Sequence, residues 1–209
     1  MTGNESGRRH TRDDVALTAL RILDDYGLPD LTMRRLAAAL DVQPSALYWH
    51  FPNKQTLLAE LADRIVAQAA VRRVAAPADS AAAVPGDGMS GVRAEAAALR
   101  DALLAYRDGA EVVASTLALG LGSTLAHDRL AAAVAAGGFD DATSGRAATA
   151  LLHFVLGHVS HEQQRMQYDS IGVLSDAGAA PAEDDDPAAE FAFGVGLFVG
   201  GLELSRSRR

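Results

Sequence analysis

Apolar side chains recur at helical spacing from the first residues that show any pattern. Val15, Ala19, Ile22 and Tyr26 form a stripe behind Thr11, which is placed to cap the helix, with Asp14 three residues on as the answering half of a weak capping box. Gly27 ends that helix. Thr32 opens a second, short one that carries Leu36, Ala37 and Leu40 inward. A third follows the Asp41-Val42-Gln43 turn, with Pro44 at its first position, where a missing N–H costs nothing. Asn53 then caps a longer helix whose Leu57, Leu58, Leu61, Ile65 and Val66 make one stripe as far as about Ala76. Residues 77–90, with Pro85, Gly86, Asp87 and Gly88, have the chemistry of a linker.

Beyond the linker, Leu99, Leu103, Leu104 and Tyr106 predict a helix ending near Gly109. Residues 112–121 and 124–136 read as two shorter helices, the second stopped by Gly137-Gly138. Asp140 or Asp141 caps a long helix running through Leu151, Leu152, Val155, Leu156 and Val159 to about Gln167. A loop with Gly178, Pro181 and the acidic run Glu183 to Asp186, read as solvated, precedes Pro187. That proline opens a last helix, Phe191 to Leu204, apolar on nearly all sides and containing glycines 194, 196, 200 and 201. Such a helix must be covered, and a second copy of the chain is the usual cover. Its strongly apolar run, 191–202, is 12 residues, short of the roughly 20 a membrane crossing needs. It therefore reads as core or interface, and no membrane partner is expected.

The pattern predicts an all-α fold. A helix-turn-helix head spans 1–54, with an N-terminal arm over 1–10; a connecting helix covers 55–76, the linker 77–90, and a ligand-binding and dimerisation body 91–209.

Composition sharpens this. Of 209 residues 43 are alanine and only 5% are aromatic, so much of the apolar fraction is helix-favouring methyl groups. The formal charge is −8, but residues 1–54 carry seven basic and seven acidic residues while 55–209 carry twelve against twenty. An acidic body disfavours general nucleic-acid binding, so any DNA contact is to be sought before residue 55. The absence of cysteine excludes disulfides, Fe–S clusters and zinc ribbons, and the polar start lacks a secretory signal, which points to the cytoplasm.

Residues 31–51 have the spacing of a helix-turn-helix, with Ala37 small enough for a close helix crossing and Asp41 at a turn position that requires tolerance of the left-handed conformation. In such a motif the start of the second helix meets base edges. Gln43, Pro44 and Ser45, assisted by Arg34, are the expected readers: Gln pairs with adenine, Arg with guanine, and the Pro ring touches a thymine methyl. Thr32, Tyr48, His50 and Lys54 fall where side chains meet phosphate oxygens. Two alternatives stand beside this. Tyr48, Trp49 and Phe51 could simply close a three-helix core, and Arg8, Arg9 and Arg12 could be a solvated tail as well as a DNA-reaching arm.

Leu47-Tyr48-Trp49-His50, followed by Asn53-Lys54 and Leu57-Leu58, resembles the tetracycline-repressor (TetR) family. The segments 103–110 (Leu-Leu-Ala-Tyr-Arg-Asp-Gly-Ala) and 153–157 (His-Phe-Val-Leu-Gly), with Glu162-Gln163-Gln164, resemble the tetracycline-repressor branch itself. The resemblance implies a ligand-responsive repressor of a palindromic double-stranded DNA operator. It also implies a homodimer joined by a four-helix bundle, here through helices at about 141–167 and 187–204.

The branch's effector chemistry carries over poorly. The resemblance places Val113 at the metal-binding His, His161 at the Glu that holds a metal-bound water, Ala70 at the drug-binding His, Glu95 at the Asn and Leu99 at the Phe; only Thr116 is retained. Val113 offers no oxygen to a hard Mg²⁺, so magnesium-tetracycline is not the expected effector. Leu99, Val113, Thr116, Leu117 and Phe154, with His158 and His161, are expected instead to line a pocket for a small, largely apolar molecule. No cofactor or resident metal is expected.

Two other function classes remain. His158, His161 and Glu162 share a helix face and could ligate a transition metal in a metal protein or enzyme. No nucleophile elbow, phosphate loop or dinucleotide fingerprint accompanies them. The third class is an architectural DNA binder without an effector.

Overall fold

The computed structural model describes residues 10–75, 89–170 and 186–207, and among these all regular structure is helical. The elements are α1 (Arg12–Tyr26), α2 (Met33–Ala39), α3 (Pro44–Leu47), α4 (Lys54–Ala75), α5 (Ser90–Leu104), α6 (Gly109–Ala118), α7 (Leu125–Ala136), α8 (Asp141–Ser170) and α9 (Pro187–Ser207). Arm residues 1–9, the linker apart from its last two residues, and the acidic loop up to Asp185 lie outside the described residues.

The predicted caps form. Thr11 and Asp14 exchange hydrogen bonds in a full capping box, and Gly27 closes α1 at φ 83°. The Thr32 hydroxyl accepts the Arg35 N–H, and Asn53 Oδ1 accepts the Thr56 N–H at 2.8 Å. Asp41 takes φ 53° in the turn, as its position required.

Helices α1 to α3 build the head against the start of α4. Helix α4 then runs into the body, where it packs on α5, α6 and α7; α8 lies against α5, α6 and α7, and α9 rests on α5 and α8. Buried apolar side chains of head and body form one continuous cluster, from Val15 and Leu23 through Leu57, Leu61 and Ile65 to Leu103, Leu151 and Val199. A rotation of α4 therefore moves packed side chains at both ends.

Three sequence expectations change. Gly109 does not end the helix before it: α5 stops at Leu104, and Gly109 begins α6. A Cβ at Gly109 would stand 2.3 Å from the Leu103 carbonyl oxygen, so this close crossing of the α5–α6 turn admits only glycine. The buried Gln163 of α8 holds that turn, donating to the Leu103 and Tyr106 carbonyls (3.1 and 2.8 Å) and accepting the Ala110 N–H (3.2 Å). Met89 and Ser90 are not linker; Met89 is buried at the cap of α5 and Ser90 starts the helix. Asp186, exposed as the solvated acidic run predicts, also caps α9 through the Ala188 and Ala189 amides. Finally α9 has 21 residues, so that by length and composition Pro187–Arg206 could cross a membrane, unlike the 12-residue run alone. Phe193, Leu197 and Leu204, 63–70% exposed, form an outward stripe on it, while Phe191, Val195 and Val199 face the body.

Candidate nucleic-acid interface and effector cleft

Leu36, Ala37, Leu40, Leu47 and Phe51 are buried beneath the helix-turn-helix, which leaves the opposite face of α2 and α3 free. Thr32, Arg34, Gln43, Pro44, Ser45 and Tyr48 are all exposed on that face or its edges, with His50 half-buried. Aromatic closure of the core falls to Phe51 alone, since Tyr48 is 50% and Trp49 90% exposed. The core-closing reading of Tyr48 and Trp49 therefore fails, and the Trp49 indole is left in water on this surface. Its exposure follows from α3 being one turn long, so that Leu47 and Phe51 face inward and the two residues between them cannot.

Arg12 belongs to α1 and its side chain is engaged within the head. Its guanidinium lies 4.3 Å from the centre of the Phe51 ring and donates to the His50 carbonyl and to Glu60, each at 2.9 Å. Arg64 bridges Glu60 (2.9 Å) and Asp13 (2.7 Å) on the same side. Partial burial opposes ionisation of Glu60, but the hydrogen bonds from Arg12 and Arg64 outweigh it and hold the carboxyl below its ordinary value. The same network, against burial, holds Arg64 above its ordinary value. This brace fixes the end of the recognition segment to α4. Arg35 is likewise committed, pairing with Asp30 and covering the Tyr26 ring at 3.7 Å, while Arg34 is exposed. Lys54 is half-buried, with its ammonium 3.4 Å from the Leu28 carbonyl oxygen.

Hydrogen bonds tie the head and α4 to the body, among them that from the Arg107 N–H to Asp24 Oδ1 (3.3 Å). Asp108, at φ 57°, accepts the Leu28 N–H on Oδ2 (2.7 Å) and the Gln167 amide on Oδ1 (2.5 Å). Asp63 of α4 accepts the Ser123 N–H from the α6–α7 turn at 2.7 Å.

The expected effector residues do not converge. Leu99 is core. Val113 and Thr116 are buried beside a void of only about 10 Å³, and the Thr116 hydroxyl donates to the Val113 carbonyl. Phe154 and His158 face α9, where His158 meets the Phe191 ring edge-on and Phe154 packs on Phe191 and Phe198. A Cβ at Gly194 would stand 2.3 Å from the Phe154 ring. His161 is exposed. Helical phase explains the split: residues 154 and 158 lie on the α9 side of α8, away from α6. Glu95, 3% exposed, is paired with Arg129, so the position matched to the drug-binding Asn is filled by an internal ion pair.

The open space lies elsewhere. A cleft of about 690 Å³ between α6, α7 and α8 is lined by Leu117, Leu152 and Leu156 with Thr124, His127, Thr149, His153 and Ser160. Of the expected set it contains Leu117 alone. The metal alternative fails on Glu162, which Arg100 grips at 2.6 and 3.1 Å; among the described residues no three His, Asp or Glu side chains converge as a metal site.

Residues 17–61 match the model of bacterial regulatory proteins of the tetR family, and residues 86–178 the tetracyclin repressor-like C-terminal domain. Tetracycline repressor protein class C of Escherichia coli is 35% identical, over 93% of this chain and 91% of its own. The crystal structure of Mycobacterium smegmatis BioQ superposes with a TM-score of 0.76 at 39% identity, covering 92% of this chain and 97% of that one. A BioQ complex with its double-stranded DNA operator matches at 0.70 and 37%, covering 92% and 98%. A helix-turn-helix head joined through α4 to a helical body that holds a ligand-sized cleft makes this chain a ligand-responsive DNA-binding regulator. The chain belongs to the TetR family of bacterial transcriptional regulators.

Proposed function

We propose that this protein is a cytoplasmic repressor, with no enzymatic role, that leaves a palindromic operator when an uncharged, largely apolar molecule enters the α6–α7–α8 cleft. Arg34, Gln43, Pro44 and Ser45 read bases, while Thr32, Tyr48, Trp49, His50 and Lys54 hold the backbone. The copies join through α8 and α9, and the outward Phe193, Leu197 and Leu204 are the surface a partner would cover. That reading gives the span-like α9 a partner without a membrane.

The observation that carries the effector reading is the contrast between the filled void at Val113 and Thr116 and the open cleft beside it. It favours an effector other than magnesium-tetracycline, and a ligand-sized cleft argues against an architectural binder without one. Two recognition segments must sit about 34–36 Å apart to reach successive major grooves. A ligand that prefers another spacing releases DNA by its differential affinity, and inverting a 1:99 population takes about 5.5 kcal/mol.

Selection of bound fragments from random DNA tests the reading. Two inverted half-sites about one helical turn apart are expected; a single unrepeated site or no enrichment would reject it.

A further inference from the structure

The effector cleft and the small void behind it share a wall. Leu117 and His127 line both, and the void is bounded on its far side by Ala62, Asp63 and Val66 of α4. His127 Nε2 lies 3.2 Å from the Gly145 carbonyl oxygen of α8, and Nδ1 lies 3.3 Å from Asp128 Oδ1, both long for hydrogen bonds. Both neighbours are acceptors, so the ring meets them only as a donor, over long contacts. The ring is thus loosely held and can exchange a protein acceptor for a ligand acceptor at little net cost. Asp128 itself is engaged by Thr124.

Among the described residues no Lys, Arg, Asp or Glu lines the cleft. A charged group there would lose its hydration without a partner, so the cleft selects uncharged ligands. Behind the wall, Asp63 holds the Ser123 N–H, and Gly122 at φ 81° brings the α6–α7 turn close to that carboxylate. The turn is therefore fastened to the helix that runs into the head.

Resting on the reading of this cleft as the effector site, we infer that His127 is its specificity-determining residue. It donates to a carbonyl or ether oxygen on an uncharged ligand. As the ring turns to do so, it opens the inner void and loosens the Asp63–Ser123 contact on α4.

The full-length protein is titrated with two uncharged naphthalene fluorophores: prodan, which carries a ketone, and N-phenyl-1-naphthylamine, which does not. The wild type is expected to bind both. His127→Leu should weaken prodan about tenfold and leave the amine unchanged, and His127→Gln, which keeps an N–H donor, should restore most of the loss. Prodan should also speed hydrogen exchange at the Ser123 amide in the wild type but not in His127→Leu. Should the Leu variant fail to fold, His127→Asn, too short to reach, takes its place. Equal prodan affinity in wild type and variant would overturn the role of His127 and leave the cleft standing as a ligand site. Binding of neither probe to the wild type would overturn the cleft itself.

Discussion

Asp108 accepts the backbone N–H of Leu28 at 2.7 Å, from a left-handed backbone conformation and across the boundary between body and head. A non-glycine residue at φ 57° is held there by its surroundings, here the bonds to Leu28 and to Gln167. Asp108→Ala should destabilise the protein by about 2 kcal/mol in urea unfolding, since it removes charge-assisted bonds from a partly buried site. Exchange at the Leu28 amide should accelerate. Asp108→Asn, which tolerates the same conformation, should lie nearer the wild type; equal stability of all three would show that the contact is incidental.

The Arg12–Glu60–Arg64 brace is pH-dependent. The folded-state pKa of Glu60 is depressed, so its contribution is fully present above the unfolded value near 4.5 and fades as pH falls through the folded one. At neutral pH Glu60→Gln should cost no more than about 1 kcal/mol, because the network is open to solvent on one side. Thermal melts of wild type and variant should converge as pH drops from 6 to 3. A gap that stays constant would remove the ionised carboxylate from the account.

Reading and gripping residues should separate in DNA binding. Arg34→Ala and Gln43→Ala are each expected to cost about 1–3 kcal/mol on the selected operator and to relax preference at one base pair. Lys54→Ala and Trp49→Ala should weaken all sequences alike, Lys54→Ala also flattening the salt dependence. Because Trp49 is 90% exposed, its replacement should leave the melting temperature unchanged. Unaltered sequence preference in Gln43→Ala would remove it from the readers.

On α9, Leu197→Lys places a charge on the outward apolar stripe without touching the core. Sedimentation should show a shift toward monomer and loss of operator binding, with helix content retained. Gly194→Val acts on the other face, driving a branched side chain into the Phe154 ring, and should lower the melting temperature as well. A Leu197→Lys protein that sediments as the wild type does would move the interface elsewhere.

Local chemistry settled much of this molecule in advance. Thr11, Asp14, Gly27, Thr32, Pro44 and Asn53 act within a few residues of themselves, so caps, turns and the helix-turn-helix were legible from spacing alone. What required the fold were interactions between segments far apart in the chain. Gln163 fixes the end of α5 from 57 residues beyond Tyr106. Arg12 finds Glu60, Asp108 finds Leu28, and Trp49 is pushed into solvent by a one-turn α3. The residues expected around the effector part company for the same reason. Phe154, Val113 and Leu99 are all apolar and helical, and only the packing of α8 between α6 and α9 decides which of their faces meets a cavity and which meets another helix.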